Sequence, residues 1–418
     1  MIRRPAKRTE SVQEYYFSRK LKEIAAMNAE RTASGGETVI NLGIGSPDGM
    51  PPSASIEALT ASAVQPGNHA YQSYVGLPEL RQAFADWYCT WYGVSLDAAK
   101  EIQPLVGSKE GILLISLAFL NEGDKVLVPD PGYPTYSSAS KLAGAEVVRY
   151  GLRPENGWQP DFDALEVSDL TGVKIMWTNY PNMPTGAPAT EDLYGKLVDF
   201  GLRHGIMICN DNPYSFILND RPLSILSHPR AKECCLELNS LSKAHNMAGW
   251  RIGMVAGGSD VIAEILKVKS QMDSGMFKPL QLAAIEALKQ GPEWFDALNE
   301  EYRRRKVLAG EIFDMLGVEY DSSSTGMFLW GRVMQDGVKS DPSCRAAMCG
   351  DVDLVRPEVS RGQKLSDRIL YEAGVFITPG FIFGRNGEDY VRISLCAKPE
   401  TLRLAAERIR KVCKGCWL

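Results

Sequence analysis

From Lys125 to Leu238 the chain repeats one kind of unit: a short apolar run, a turn rich in proline, glycine or asparagine, and then a stretch with helical spacing. The apolar runs are Lys125–Val128, Glu146–Tyr150, Val173–Thr178, Ile206–Asn210 and Cys235–Leu238, and the helical stretches between them include Ser137–Ala143 and Glu191–His204. Strands that read as continuous apolar runs are buried on both faces, and strands joined through helices run parallel. The spacing therefore predicts an α/β chain, with a mostly parallel sheet covered by helices on both sides. In such sheets the residues that meet ligands sit on loops at the carboxyl ends of the strands. Chemistry is therefore to be sought just past each apolar run.

The flanking regions differ. Val12–Ala29 has the spacing of an amphipathic helix and Val39–Leu42 that of a short strand, ended by Gly43-Ile44-Gly45-Ser46-Pro47-Asp48. Leu80–Tyr92 reads as a helix, as does Gly111–Leu120, which opens straight after Gly107-Ser108-Lys109-Glu110. Beyond Pro292 a long helix, Trp294–Leu316, carries a charged face; candidate strands come next at Phe328–Trp330, Val375–Thr378 and Tyr390–Ser394, with a last helix at Glu400–Val412. A chain of 418 residues exceeds one hydrophobic core. The expected division is an N-terminal arm with part of a smaller domain (1–50), a large domain (51–292) and a smaller α+β domain (293–418). The stretch Met334–Gly362 is polar and aperiodic, holds Cys344 and Cys349, and is expected to be an exposed excursion.

Composition removes several functions. A net charge of −5 disfavours nucleic acid and anionic membranes as partners. The longest apolar stretch, Ile112–Leu120, falls far short of the roughly 20 residues that cross a bilayer. The basic start MIRRPAKRTE has no apolar segment behind it, so no secretory signal is expected. Nine cysteines, an odd number and scattered, read as reduced thiols of a cytoplasmic protein. Cys413 and Cys416 form a lone CxxC without a second pair, so no metal site is assigned.

The chemistry concentrates in Ser240-Leu241-Ser242-Lys243, just past a predicted strand, with Arg251 eight residues on. A lysine that is to attack a carbonyl must be partly neutral, which needs burial or neighbouring cations. Arg251 offers a planar fork suited to phosphate, and Ser240 and Ser242 can donate to the same anion. Gly107-Ser108-Lys109-Glu110-Gly111 opens a helix whose free N–H groups also suit a phosphate, although no Walker A ending is present. Arg392, inside the apolar run Tyr390–Ser394, is expensive unless paired.

Together these segments resemble the class I/II aminotransferases, the fold-type I enzymes dependent on pyridoxal 5'-phosphate. The resemblance runs from Asn41 to Ser394, with the motifs in the family's order. It implies a large domain with a mostly parallel seven-stranded sheet, a smaller α+β domain, and Lys243 as the Schiff-base lysine. It implies Asp211, of Asp211-Asn212-Pro213-Tyr214, against the pyridine nitrogen, and Tyr214 bonded to the ring's 3-oxygen. Ser108 and Lys109 would face the phosphate, Tyr133 of Pro129-Asp130-Pro131-Gly132-Tyr133 would stack on the ring, and Arg392 would grip the substrate α-carboxylate with Gly45 closing over it. Tyr71 would reach the neighbouring subunit's phosphate, which makes the protein a homodimer. One position departs: in Tyr180-Pro181-Asn182-Met183-Pro184-Thr185-Gly186 the residue before Pro184 is ordinarily asparagine, a donor to the ring 3-oxygen, and here it is Met183. Either Asn182 turns inward to replace it or Tyr214 serves alone, and the first is expected.

The implied reaction moves an amino group from an amino acid to a 2-oxo acid. A carbon–sulfur β-lyase of the same fold would carry the same residues, and a ligand sensor would need a DNA-binding domain for which the chain has no room. The layout looks closest to the LL-diaminopimelate, alanine and aromatic aminotransferases. Lys269–Lys278 supplies lysines but no arginine for a distal carboxylate, and Tyr15 and Tyr16 are candidates for closing the pocket.

Overall fold

The computed structural model describes residues 4–12, 14–334 and 359–413. Cys344, Cys349 and Cys416, and nearly all of the expected excursion, lie outside them.

A short strand β1 (Ile40–Asn41) precedes the main sheet. That sheet has seven strands, β2 (Ile102–Leu105), β3 (Lys125–Asp130), β4 (Glu146–Gly151), β5 (Val173–Thr178), β6 (Met207–Asp211), β7 (Cys235–Ser240) and β8 (Gly253–Gly257), in the order β2-β8-β7-β6-β5-β3-β4. Strands β3 to β7 pair in parallel, whereas β8 is antiparallel to both β7 and β2.

Why the strands read as unbroken apolar runs is clear from their two faces. Val126, Val128, Ile175 and Trp177 pack on one side with Ile112 and Ile115 of helix Ser108–Phe119, Tyr136 of helix Pro134–Leu142 and Ile265 of helix Ser259–Lys269. Their neighbours Leu127 and Met176 point the other way, onto Phe84 and Tyr88 of helix Pro78–Tyr92, Leu193 and Leu197 of helix Glu191–His204, and Ala284 of helix Lys278–Leu288. Alternate side chains go to opposite faces, and each face has its own layer of helices.

A second sheet holds β9 (Val318–Tyr320), β10 (Phe328–Val333), β12 (Thr378–Pro379) and β13 (Tyr390–Ser394), all antiparallel neighbours; β11 (Val375–Phe376), just before β12, pairs instead with β1 in parallel. Ile40 and Leu42 share a core with Ile312 and Phe313 of helix Pro292–Met315 and Leu402 and Ile409 of helix Pro399–Cys413.

Some boundaries differ from the sequence reading. The long helix starts at Pro292 rather than Trp294, because proline is at home in a first turn, where its missing N–H is not needed. The N-terminal helix spans Tyr16–Ala33, and the helix expected from Gly111 begins at Ser108. No helix of the described residues is long and apolar enough to cross a membrane.

Candidate active site

Strand β7 runs directly into a single helical turn, Leu241–Ala244, capped by Ser240, whose Oγ accepts from Ser242 N at 3.1 Å. This turn carries Lys243 off the end of the sheet. Its Nζ donates to the Gly45 carbonyl at 2.6 Å. Burial lowers the amine's pKa, and the Arg251 and Arg392 charges lower it further against the opposing influence of Cys396 and Asp211. A lysine whose charged form is disfavoured in this way suits the work of a nucleophile or proton carrier. Gly45 is required where it stands, since a Cβ there would run into the Phe328 ring.

One end of the cavity is built for an anion. Gly107 turns at φ +78°, a conformation L side chains rarely adopt, and a Cβ on it would strike the Arg251 guanidinium. That turn starts helix Ser108–Phe119 beside Arg251, so the first free N–H groups of a 12-residue helix face the same space as the guanidinium. Arg251 itself sits at φ +58°, an uncommon place for a bulky residue. Its Nη1 donates to Ala248 O at 2.7 Å and to Ser242 Oγ at 3.4 Å, and Ser240 Oγ donates to Ser242 Oγ at 2.8 Å.

The opposite end presents a carboxylate. Asp211 closes β6, and its Oδ2 accepts from Tyr136 Oη at 3.0 Å. Its Oδ1 is buried without a hydrogen-bond partner. Burial pushes its pKa up to about 7, helped by the Glu237 charge and opposed by Tyr136 and Lys243. Asn179, at the end of β5, donates through Nδ2 to the Asp211 carbonyl and accepts from Met183 N at 2.7 Å. Tyr136 stacks on Trp177 with ring centroids 5.2 Å apart, which fixes the hydroxyl it offers to Asp211.

Arg392 of β13 is 4% exposed. Its Nη2 donates to Gly43 O at 2.9 Å and its Nη1 to the Met183 sulfur at 3.2 Å, while Nε has no partner. The guanidinium carbon lies 3.8 Å from the Phe328 ring centroid, 4.7 Å from that of Phe383 and 5.7 Å from that of Phe17. Burial lowers its pKa to about 10; the groups that favour its charge are Tyr214, Tyr15, Cys396 and Tyr133, with no carboxylate among them. A buried cation held by π faces, a carbonyl and a thioether is poised for an anionic ligand.

One cavity of about 370 Å³ is lined by Lys243, Asp211, Tyr214, Ser108, Lys109, Tyr133, Ser240, Ser242, Arg251, Gly45 and Arg392. Three residues singled out from the sequence, Asn182, Tyr71 and Tyr16, are elsewhere. Asn182 does not turn inward: Nδ2 donates to Asn179 O at 3.1 Å, and Oδ1 accepts from Thr185 N and Oγ1 at 3.3 and 2.7 Å. These bonds within its own turn do not support the expectation that it replaces the missing asparagine. Tyr71 is 91% exposed and outside the cavity. Tyr15 lines the cavity, as does Met183, whereas Tyr16 packs edge-on against Phe381 at 5.6 Å. Sequence reasoning gave no role in the site to Asn179, Tyr136, Phe328 or Phe383. The first two carried a signal, one by standing just past a strand end and the other by lying three residues beyond Tyr133.

The residues fit pyridoxal 5'-phosphate: an anion cradle at one end, an unpaired buried carboxylate oxygen for a protonated ring nitrogen at the other, and an amine between. Among the described residues no three His, Cys, Asp or Glu side chains are grouped to hold a metal ion.

Comparisons with known proteins agree. The family model for aminotransferase class I and II matches residues 37–409. The LL-diaminopimelate aminotransferase of Aquifex aeolicus is 40% identical over 379 residues, covering 90% of this chain and 92% of that protein. The enzyme of the same name from Maridesulfovibrio salexigens is 39% identical over 393 residues, 93% of this chain and 95% of that one. Among solved structures, substrate-bound BacF from Bacillus subtilis superposes with a TM-score of 0.86 at 32% identity, covering 98% of each chain. A Thermus thermophilus aspartate aminotransferase double mutant gives 0.83 at 27% identity, covering 98% of this chain and all of that one.

Proposed function

The chain belongs to the class I and II aminotransferases, and on that premise we propose that its amino donor is LL-diaminopimelate and its acceptor a 2-oxo acid such as 2-oxoglutarate. It is a pyridoxal 5'-phosphate-dependent enzyme of fold type I that moves an amino group from an amino acid to a 2-oxo acid. The relatives' names favour transfer over carbon–sulfur elimination.

When bound, the cofactor supplies an aldehyde carbon for amines and a pyridinium ring that draws electrons from the substrate's α-carbon. Ser108, Lys109, Ser240, Ser242 and Arg251 would hold its phosphate, Tyr133 would flank the ring, and Lys243 would anchor it covalently. Asp211 Oδ1 would keep the proton on the ring nitrogen, with Tyr136 fixing the carboxylate and Asn179 the Asp211 backbone. Arg392 takes the α-carboxylate and so aims the α-hydrogen at Lys243. The Lys243 amine, free of its linkage, would hold and move the α-proton, first as a base and then as an acid. Tyr214 would donate to the ring 3-oxygen. The exposed Tyr71 supports a homodimer in which it completes the partner's phosphate site, and the free, scattered cysteines support a cytoplasmic enzyme.

The observation that carries the reading is the convergence of Lys243, the unpaired Asp211 oxygen and the caged Arg392 on one cavity. The test is a panel of donors given to the holoenzyme with 2-oxoglutarate and with pyruvate. LL-diaminopimelate should show the highest kcat/KM; a preference for aspartate, alanine or an aromatic amino acid would replace it as the donor.

A further inference from the structure

The turn that opens the anion cradle is held by a carboxylate. Glu110 lies in the first turn of helix Ser108–Phe119. Its Oε2 accepts the Val106 N–H at 2.7 Å, and its own N–H donates to the Gly107 carbonyl at 3.2 Å. Glu110 therefore brackets Gly107, whose φ of +78° starts the helix beside Arg251. The same placement acts against a phosphate. A carboxylate at a helix N-terminus draws on the free N–H groups and the positive dipole end, and its charge repels any second anion brought there. Lys269, the last residue of helix Ser259–Lys269, meets this carboxylate. Its Nζ donates to Glu110 Oε1 at 3.1 Å and to Oε2 at 3.3 Å. Lys269 is 3% exposed, and Asp273, four residues on, accepts from the same ammonium. A buried ammonium is unfavourable unless paired. Both partners here are carboxylates of the chain itself, so this lysine answers the protein's own anions rather than a distal carboxylate of a substrate.

We propose that Lys269 is a positioning residue for the cofactor phosphate. It lets Glu110 shape the Gly107 turn while offsetting the negative charge that this carboxylate would otherwise set against the phosphate. The proposal rests on the reading of Ser108, Lys109 and Arg251 as a phosphate cradle. It goes beyond that reading in giving a function to Glu110 and Lys269, neither of which lines the cavity.

The test titrates the full chain, cleared of cofactor, with pyridoxamine 5'-phosphate and with pyridoxamine. Neither probe forms a linkage to Lys243, and the two differ by the phosphate alone. The unaltered protein should prefer the phosphorylated probe roughly 100-fold or more. Lys269→Met, which keeps the length of the side chain and removes its charge, should lower that preference about tenfold and leave pyridoxamine affinity unchanged. Adding Glu110→Gln to it retains an oxygen for the Val106 N–H and removes the opposing charge, so the preference should return to within about threefold of the original. Lys269→Arg should retain it. Glu110→Gln alone covers the case where Lys269→Met misfolds: with the carboxylate gone and the lysine in place, the preference should rise. The proposal is overturned if Lys269→Met leaves the preference unchanged, or if both probes lose affinity equally, the sign of a merely structural lysine. It is also overturned if the double variant stays as impaired as the single one, or if Glu110→Gln brings no rise. An unaltered protein that binds both probes alike would take down the cradle and this proposal with it, whereas a preference indifferent to Lys269 takes down the proposal and leaves the cradle.

Discussion

Replacing Met183 by asparagine asks what serves the cofactor's ring 3-oxygen. The Met183 sulfur accepts from Arg392, and Asn182 is spent on Asn179 and Thr185. On the proposed assignment this leaves Tyr214 as the side-chain donor. A hydrogen bond to a charged oxygen contributes about 1.5–3 kcal/mol, and about 1.4 kcal/mol moves a pKa by one unit. A new amide donor should therefore shift the titration of the Lys243–cofactor linkage by about 1–2 pH units. The sign is set by charge. A donor stabilises the oxygen's negative charge, so the neighbouring linkage nitrogen holds its proton less tightly and loses it at lower pH. The assay is the visible absorption of the holoenzyme against pH. Met183→Asn should move the midpoint down, Met183→Leu should leave it, since leucine removes the sulfur and adds no donor, and Asn182→Ala should also leave it. A midpoint unmoved by asparagine in a folded, cofactor-loaded protein, or one raised by Asn182→Ala, would refute the reasoning.

Borohydride reduction of the holoenzyme and then peptide mapping should label Lys243, and Lys243→Ala should abolish amino transfer; a label on another lysine would displace the assignment. In cofactor-free protein, the folded state holds the Asp211 proton up to about pH 7, whereas an unfolded aspartate releases it near ~4. Stability is therefore lost as pH rises through that window. Asp211→Asn should raise the melting temperature at pH 8 but not at pH 4, by roughly a few kcal/mol of stability, and added cofactor should narrow the gap; equal melting at pH 8 would contradict a buried, half-paired carboxylate. Mixing Lys243→Ala with an impaired Tyr71→Phe variant should restore activity through hybrid dimers that hold one intact site, and subunits that exchange without recovery would make each site self-contained.

The sheet and the polar half of the site were legible because both derive from what burial makes unfavourable. Strands such as Val173–Thr178 had to be apolar on both faces once helices covered both, and their carboxyl ends were the places where Asp211 and Ser240 could meet a ligand. Arg392 announced itself as an ion inside an apolar strand. Strand β8 was not read, because its five residues, Gly253–Gly257, begin in the tail of the lysine motif and are bounded by glycines that resemble turn signals. The start of the helix at Ser108 was misplaced for a related reason: its first turn is polar, facing the anion cradle, and apolar periodicity marks only the residues that enter the core.

Asn182 and Asn179 show where side-chain aim escapes such reasoning. Both are asparagines near the end of β5, and sequence position favoured the one beside Met183. The structure turns Asn182 back onto Thr185, a local closure of the kind asparagine makes in turns. Asn179, only one residue past the strand, spans from the Asp211 carbonyl to Met183 N and ties the end of β6 to the Met183 turn. The cage around Arg392 lies further still from local rules. Phe17, Phe328 and Phe383 come from three distant segments, and each is an ordinary core residue by type. Their convergence on one guanidinium, with the Gly43 carbonyl and the Met183 sulfur, holds a buried cation that no carboxylate pairs among the described residues.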